Sequence, residues 1–172
     1  MSQTPPTFER QPPAGLLRLF LKAPPYLYRG LLAELLRWRC VMLLTTVGRR
    51  TGLPRRFSVS FMPLDGRYVA FSGWGVRSNW YRNILVHPEV TLQVGRRRFL
   101  AEARPVADPE RRRELMLVMQ ARSARCGPPR ILRPLLRLTR AFDYDREITL
   151  AVEQGGNLPV VEFIPYDQRV AP

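Results

Sequence analysis

Apolar and polar residues alternate through the middle of the chain, and this two-residue period is typical of β-strands with one buried face. Asp65-Gly66 and Gly95-Arg96-Arg97 are tight-turn signals between neighbouring strands. Strands joined by such short turns form an antiparallel sheet, and five or six of them favour a small barrel over a parallel sheet. The predicted strands are Val41–Val47, Phe57–Pro63, Arg67–Gly73, Glu89–Gly95, Arg98–Val106 and Leu158–Ile164.

Three segments with helical spacing of apolar residues interrupt or follow these strands. Residues 78–87 carry apolar side chains three to four positions apart and end before Pro88. The stretch 108–110 predicts a helix start, because its aspartate caps the first turn and its proline is tolerated there. That helix is predicted to end near Gly127, and residues 131–142 form a further amphipathic segment. We therefore expect helices flanking the barrel.

The region ahead of the strands divides into two parts. Residues 1–14 carry four prolines and few large apolar side chains, so we predict a flexible arm. Residues 15–39 form an amphipathic helical segment that is broken at Pro24-Pro25. Its apolar face fits packing on the core, contact with a second copy in a homodimer, or peripheral contact with a membrane. The barrel is predicted to occupy residues 40–172.

The sequence also bears on where the protein resides. No apolar run reaches the roughly 18 residues needed to span a bilayer. The N-terminus lacks the basic start, apolar core and cleavage site of a signal peptide. We expect a cytoplasmic protein, with peripheral attachment to a membrane as the alternative.

Charge narrows the classes of partner. The net charge is +14, and because Lys22 is the single lysine, 27 of the 28 basic residues are arginine. Arginine makes paired hydrogen bonds with phosphates and carboxylates, so an acidic cofactor, an anionic membrane and nucleic acid all fit the charge. The arginines are dispersed and no recognition motif for nucleic acid is present. We therefore expect no nucleic-acid partner.

Metal-ligating residue types are scarce. Cys40, His87 and Cys126 lie at no spacing that zinc or redox sites use, so no metal is expected. Cys40 opens an apolar strand and is expected to be a small core residue. His87 stands at a helix end, where capping or hydrogen bonding is its expected role.

The segment Gly48–Arg56 places two glycines around two arginines and a threonine at a strand-to-strand turn. Glycine lets the backbone approach a ligand closely, and arginine binds phosphate or carboxylate through charge-assisted hydrogen bonds. The turn therefore suits an anionic ligand. A solvated hairpin explains the same residues when they are taken alone.

Five motifs, taken in order, resemble a known family. They are Leu43–Arg55, Tyr68–Gly75, Trp80–Asn83, His87–Val90 and Pro159–Val161. The family is that of the deazaflavin-dependent nitroreductases, also described as F-420-dependent quinone reductases of actinobacteria and related bacteria. The resemblance implies an α+β, mainly β fold: a split β-barrel of the FMN-binding, flavin-reductase type with flanking helices. Residues 40–172 would then be a cofactor-binding domain.

The cofactor that this resemblance implies is coenzyme F-420, a deazaflavin with a ribityl phosphate and an acidic polyglutamate tail. The residues carried over to the phosphate and tail are Arg49, Arg50, Thr51, Gly52 and Arg55, with Pro54 shaping the turn. Those carried over to the ring are Ser72, Gly73, Trp74 and Gly75, through backbone groups, with Trp80 and Asn83 facing the pocket. Family members often carry lysine in the second turn, where Trp74 would stack on the ring or fill the barrel mouth.

The implied activity is hydride transfer from reduced F-420 to a quinone-like or other unsaturated acceptor. The chemistry belongs to the cofactor, so no side chain is expected to be catalytic. Trp80 and Tyr144 are the expected acceptor contacts. The tyrosine-rich C-terminal helix of the nitroreductases is nearly missing, so activity on a drug-like substrate does not carry over. FMN or haem in the same barrel, and a non-catalytic binder of lipid or another hydrophobic anion, remain the alternatives.

Overall fold

The computed structural model describes residues 30–38, 40–73, 75–122 and 158–166. Its helices are α1 (Gly30–Trp38), α2 (Asn79–Ile84) and α3 (Pro109–Arg122), with a 3-10 turn at Gly75–Arg77. Its strands are β1 (Val41–Val47), β2 (Pro54–Ser60), β3 (Met62–Leu64), β4 (Arg67–Phe71), β5 (Glu89–Val94), β6 (Arg97–Pro105) and β7 (Val160–Pro165). The predictions for residues 1–29, 131–142, Trp74, Gly127 and Tyr144 fall outside the described residues.

The seven strands form one antiparallel sheet in the order β2-β1-β5-β6-β7-β4-β3. The predicted mainly β, antiparallel architecture with flanking helices is confirmed. The predicted strand Phe57–Pro63 was wrong, because the chain breaks it at Phe61 into β2 and β3. Val41–Val47 has its predicted bounds, and the other predicted strands differ from the observed ones by one or two residues at their ends. β2 also begins at Pro54, because residues 54–56 continue the ladder with the end of β1 even though their side chains are exposed.

A single residue closes the sheet on itself. β2 and β3 stand at opposite ends of the strand order, yet only Phe61 separates them along the chain. A flat sheet of seven strands would place its edges about 29 Å apart, given roughly 4.8 Å per strand. The sheet must therefore curl until its two edges meet at Phe61, whose N–H donates to the Cys40 carbonyl at 2.9 Å. The result is the split barrel that the sequence predicted.

The main core fills the inside of this curled sheet. Alternate residues of the strands point inward, as the pairs Met42 and Leu44, and Val161 and Phe163, illustrate. Trp80 and Ile84 of α2 complete the cluster at one end of the barrel. Each fully buried large side chain contributes about 1.5–3 kcal/mol through removal of apolar surface from water.

Helix α3 covers part of the outer face of the sheet. Leu115 and Met116 are its buried residues, and they pack with Val69 and Val160 from the reverse side of β4 and β7. The predicted start is confirmed, because Asp108 Oδ1 accepts the N–H of Glu110 at 3.1 Å.

Helix α1 packs against the outer face of β1. Ala33 is buried there beside Leu43, and Glu34 Oε1 accepts the backbone N–H of Arg96 at 2.9 Å in the β5–β6 turn. Leu35 and Trp38 remain exposed, by 52% and 77%. Packing on the body of the protein, one of the three roles considered for residues 15–39, therefore accounts for the described part of that segment.

Cys40, between helix α1 and β1, has a left-handed backbone conformation with a φ of 57°. Its N–H donates to the Arg37 carbonyl at 2.9 Å, and its side chain is disulfide-bonded. The expectation of a small core residue was therefore wrong, because residue spacing does not reveal which cysteines the fold brings together. The sequence holds one other cysteine, Cys126, which lies outside the described residues.

Candidate functional site

A basic cleft opens where β1 ends, β2 begins and α2 crosses beside them. Its volume is about 360 Å³, which lies within the range of small-molecule sites. The lining residues are Gly48, Arg49, Arg50, Thr51, Arg55, Phe57, Asn79 and Asn83. Five of the residues proposed from the sequence as cofactor contacts therefore share one cleft: Arg49, Arg50, Thr51, Arg55 and Asn83.

The loop from residue 48 to residue 53 is held in shape by its own hydrogen bonds. The carbonyl of Gly48 accepts the N–H groups of Thr51 at 3.1 Å and Gly52 at 2.8 Å, and the Gly48 N–H donates to the Leu53 carbonyl at 2.9 Å. A Cβ at Gly48 would lie 2.9 Å from Thr51 Oγ1 and 3.1 Å from the Leu53 carbonyl oxygen. Any larger residue at position 48 would force the loop to shift, because the loop closes tightly over this glycine.

One loop donor faces no acceptor within the described residues. The N–H groups of residues 49 and 51–53 all donate to acceptors within the protein. The described part of the chain supplies none for the N–H of Arg50, which lies among the residues that line the cleft. This N–H is therefore available to an anionic ligand.

The cleft carries three guanidinium groups and no carboxylate among its lining residues. Arg49 Nη1 donates to two amide oxygens, Asn83 Oδ1 at 3.1 Å and Asn79 Oδ1 at 3.3 Å. These acceptors are neutral, so they orient the guanidinium without cancelling its charge. With Arg50 and Arg55 beside it, the cleft favours a ligand with more than one negative charge.

Asn83 connects the loop to the barrel wall. Its Nδ2 donates to Thr46 Oγ1 at 3.0 Å, and its Oδ1 accepts the backbone N–H of Arg49 at 3.3 Å. Asn83 and Thr46 are only 3% and 1% exposed. Sequence reasoning missed Thr46 and Asn79. Asn79 had a usable signal, because it lies one helical turn before Asn83.

The second glycine turn is satisfied by its own contacts. Ser72 is fully buried, its Oγ donates to the Gly75 carbonyl at 2.7 Å, and its N–H donates to the Pro159 carbonyl at 2.9 Å. The Gly75 N–H donates back to the Ser72 carbonyl at 2.8 Å. Ser72, Gly73 and Gly75 do not line the basic cleft. Their contact with the ring system stays a prediction.

Trp80 lies in the core rather than on the wall of the cleft. It is 5% exposed, and its ring centroid lies 6.3 Å from that of Phe163 and 6.1 Å from that of Tyr81. Its predicted contact with cofactor and acceptor is untested. Gly52 and Pro54 also lie outside the lining: Gly52 adopts a φ of 67° in the turn, and Pro54 starts β2 opposite Val47.

A curled antiparallel sheet with a carboxylate-free basic cleft at the end of β1 defines a split-barrel protein suited to an anionic ligand. The chain belongs to the F420H(2)-dependent quinone reductase family, which it matches over residues 28–126. This match confirms the resemblance drawn from the motifs, and the family's name specifies F-420 as its cofactor.

Individual proteins agree with that assignment. The chain is 38% identical over 74 residues to F420H(2)-dependent quinone reductases of Mycobacterium tuberculosis strains H37Rv and CDC 1551. The match covers 40% of this chain, and the chain spans about half the length of these curated relatives. A solved structure of a conserved hypothetical protein from Mycobacterium tuberculosis superposes with a TM-score of 0.50 at 15% identity, covering 78% of each chain. That likeness concerns the fold alone.

Proposed function

We propose that the protein binds coenzyme F-420 at the basic cleft and uses its reduced form to reduce a quinone-like acceptor. The observation that carries the proposal is the cleft itself. Three arginines line it without a carboxylate among the lining residues, and the described residues supply no acceptor for the backbone N–H of one of them, Arg50. Such an arrangement favours a phosphate ester over a neutral ligand.

The residues present fit the coenzyme's anionic parts. Thr51 and the Arg50 N–H offer hydrogen bonds to a phosphate, and Arg49 offers a guanidinium held in one orientation. Arg55, which also lines the cleft, would face the carboxylates of the acidic tail. Phe57, which is half-buried in the lining, gives the cleft one apolar wall.

When bound, the reduced deazaflavin would supply the hydride. The chain's own part is then to hold, orient and partly desolvate the reactants. Trp80 and the turn formed by Ser72, Gly73 and Gly75 are the proposed ring contacts. Trp74 and Tyr144, which lie outside the described residues, complete the proposed contacts with ring and acceptor.

The relatives, which are named as quinone reductases, support a quinone-like acceptor. Exposed apolar side chains on either side of α2, Val76, Leu85 and Val86, support an apolar acceptor or a second copy of the chain near the cleft. These residues lie near the cleft, because α2 also carries Asn79 and Asn83, which line it. A homodimer is accordingly part of the proposal.

Cytoplasmic location with peripheral membrane contact is also proposed. Leu35 and Trp38 on α1 are exposed beside Arg37, which supports contact with a bilayer that holds the quinone. Within the described ranges, no helix has the length and apolar character to cross a membrane. Co-flotation with anionic liposomes, compared between the wild type and Trp38→Ala, tests this part. Equal flotation of both proteins would contradict it.

The cofactor is tested by titrating purified protein with F-420, FMN and haem while recording visible absorbance. F-420 is expected to bind most tightly, and mixing the reduced complex with a soluble naphthoquinone should restore the absorbance of oxidised F-420. Tighter binding of FMN or haem would assign the barrel to another redox cofactor. If none of the three binds at micromolar concentration, the result favours a non-catalytic binder of lipid or another hydrophobic anion.

A further inference from the structure

We infer that Thr46 and Asn83 act as a positioning pair that presents Arg49 to the ligand phosphate as an uncompensated cation. The inference rests on the proposed function, since it concerns how the same cleft is built. Thr46 lies on β1 within the motif Leu43–Arg55, but it is not among the residues carried over to the cofactor. Its role is indirect, because it touches Asn83 rather than the cleft.

The hydroxyl of Thr46 anchors one end of the Asn83 amide in the barrel wall. Nδ2 of Asn83 donates to Thr46 Oγ1 at 3.0 Å in a buried setting, which leaves Oδ1 directed at Arg49. A hydroxyl can donate or accept, so Thr46 anchors the amide, while the two donors of Arg49 select the orientation in which Oδ1 faces them. The other orientation would aim NH₂ at the Arg49 donors, where no hydrogen bond could form.

The oxygen of Asn83 then fixes both ends of Arg49. It accepts a hydrogen bond from the backbone N–H at 3.3 Å and another from Nη1 at 3.1 Å. The main chain and the guanidinium of Arg49 are therefore both bound to the same oxygen atom. Asn79 accepts Nη1 as well, at 3.3 Å. The arginine is thereby held along the cleft before any ligand arrives, which reduces the entropy lost on binding.

The chemistry of the pair also explains why an amide stands at residue 83. A carboxylate in the same place would orient Arg49 equally well but would neutralise it, and the attraction for a phosphate would fall. An amide orients the guanidinium while the charge stays available. The pair is therefore selective for anions through charge as well as geometry.

The test compares four proteins by fluorescence titration with F-420 at constant ionic strength. Thr46→Val removes the acceptor at nearly unchanged volume and should weaken binding about tenfold. Thr46→Ser keeps the hydroxyl and should bind as the wild type does. Thr45→Val is the matched control, because Thr45 precedes Thr46 on β1 and its hydroxyl makes no hydrogen bond within the described residues. Melting temperatures establish that each variant is folded.

A double-mutant cycle separates positioning from general damage to the fold. If Thr46 acts through Arg49, Thr46→Val should cause no further loss in an Arg49→Ala background. An equal loss in both backgrounds overturns the inference, as does wild-type affinity in a folded Thr46→Val protein. If Thr46→Val does not fold, the Asn83→Asp variant is titrated with F-420 instead. A folded Asn83→Asp protein with wild-type affinity for F-420 would refute the role of the neutral amide.

The outcomes also separate this inference from the proposed function. Binding of F-420 that does not depend on Thr46 upholds the function and overturns the positioning pair. If F-420 does not bind, the same variants are titrated with FMN and with inorganic phosphate. If Thr46→Val weakens the binding of FMN or phosphate, the positioning role of Thr46 and Asn83 is upheld, and the assignment of F-420 as the cofactor is overturned. Failure of the wild type to bind any of the three overturns both.

Discussion

The side-chain oxygen of Asn83 accepts hydrogen bonds from two donors of Arg49, the backbone N–H at 3.3 Å and Nη1 at 3.1 Å. This contact joins the loop after β1 to helix α2, which are 34 residues apart in the chain. It holds the first arginine of the loop against α2, where its side chain is only partly exposed. The resulting cleft is basic and has no carboxylate among its lining residues. Its Arg49 guanidinium is held by the neutral amide oxygens of Asn79 and Asn83.

The arginines of the loop are expected to matter far more than equally basic residues elsewhere. Replacing Arg49 and Arg50 together with alanine should weaken F-420 binding about 100-fold, because two charge-assisted contacts are lost. The matched control replaces Arg96 and Arg97, which are exposed in the β5–β6 turn, and should change affinity by less than about threefold. Fluorescence titration measures both. Equal losses would show that overall charge, not the cleft, attracts the coenzyme.

Gly48→Ala should damage both the fold and the site. The new Cβ would meet Thr51 Oγ1 at 2.9 Å and the Leu53 carbonyl at 3.1 Å, so the loop must shift. We expect a loss of about 1–2 kcal/mol in the free energy of unfolding, and weaker F-420 binding. Gly52→Ala is the control, because a Cβ there meets nothing within 4 Å and only the φ of 67° is strained. Its stability should fall by about 1 kcal/mol.

The two variants are compared by urea unfolding and by titration. Affinity should fall in Gly48→Ala beyond the change seen in Gly52→Ala, since only the former displaces Thr51. The reverse order would mean that the loop conformation, rather than the packing over Gly48, sets the affinity.

Phe61 should be among the most sensitive positions for stability. Its side chain is 5% exposed and packs against Tyr68, with ring centroids 5.5 Å apart. Phe61 is also the one residue between β2 and β3, where the edges of the sheet meet. Phe61→Ala should cost about 3–4 kcal/mol in the free energy of unfolding. Leu100→Ala, at a side chain that is 58% exposed, should cost less than about 0.5 kcal/mol. Similar costs for the two would contradict the closure at Phe61.

The disulfide of Cys40 should be detectable and stabilising. Mass spectrometry of the unreduced, alkylated protein should find Cys40 in a disulfide-linked peptide and not as a free thiol. Reduction should lower the stability of the wild type by about 2–4 kcal/mol and leave Cys40→Ser unchanged. Two free thiols in the purified protein, or equal effects of reductant on both proteins, would refute the bond.

Much of the fold followed from local pattern. β1 was predicted with its observed bounds, because its apolar run is flanked by turn residues. The break at Phe61 was not visible, since residues on both sides alternate in a way that one long strand also satisfies. The strand order was equally hidden, because it depends on pairings between distant segments such as β6 and β7.

The site was only partly predictable. Arginine and glycine types in the loop carry a chemical signal of their own, and the structure brings Arg49, Arg50 and Arg55 to one cleft. Thr46 carried no such signal, because a threonine in a strand is ordinary and its partner Asn83 is 37 residues away. Trp80 shows the opposite case: an aromatic residue in a family motif that the fold buries in the core.

The most direct test of the central claim is a crystal structure of the protein with F-420 bound. The phosphate should lie within about 3.5 Å of the Arg50 backbone nitrogen, with the Arg49 guanidinium beside it and still held by Asn83. A coenzyme bound elsewhere on the barrel, with the loop of residues 48–53 facing solvent, would contradict the assignment of the basic cleft.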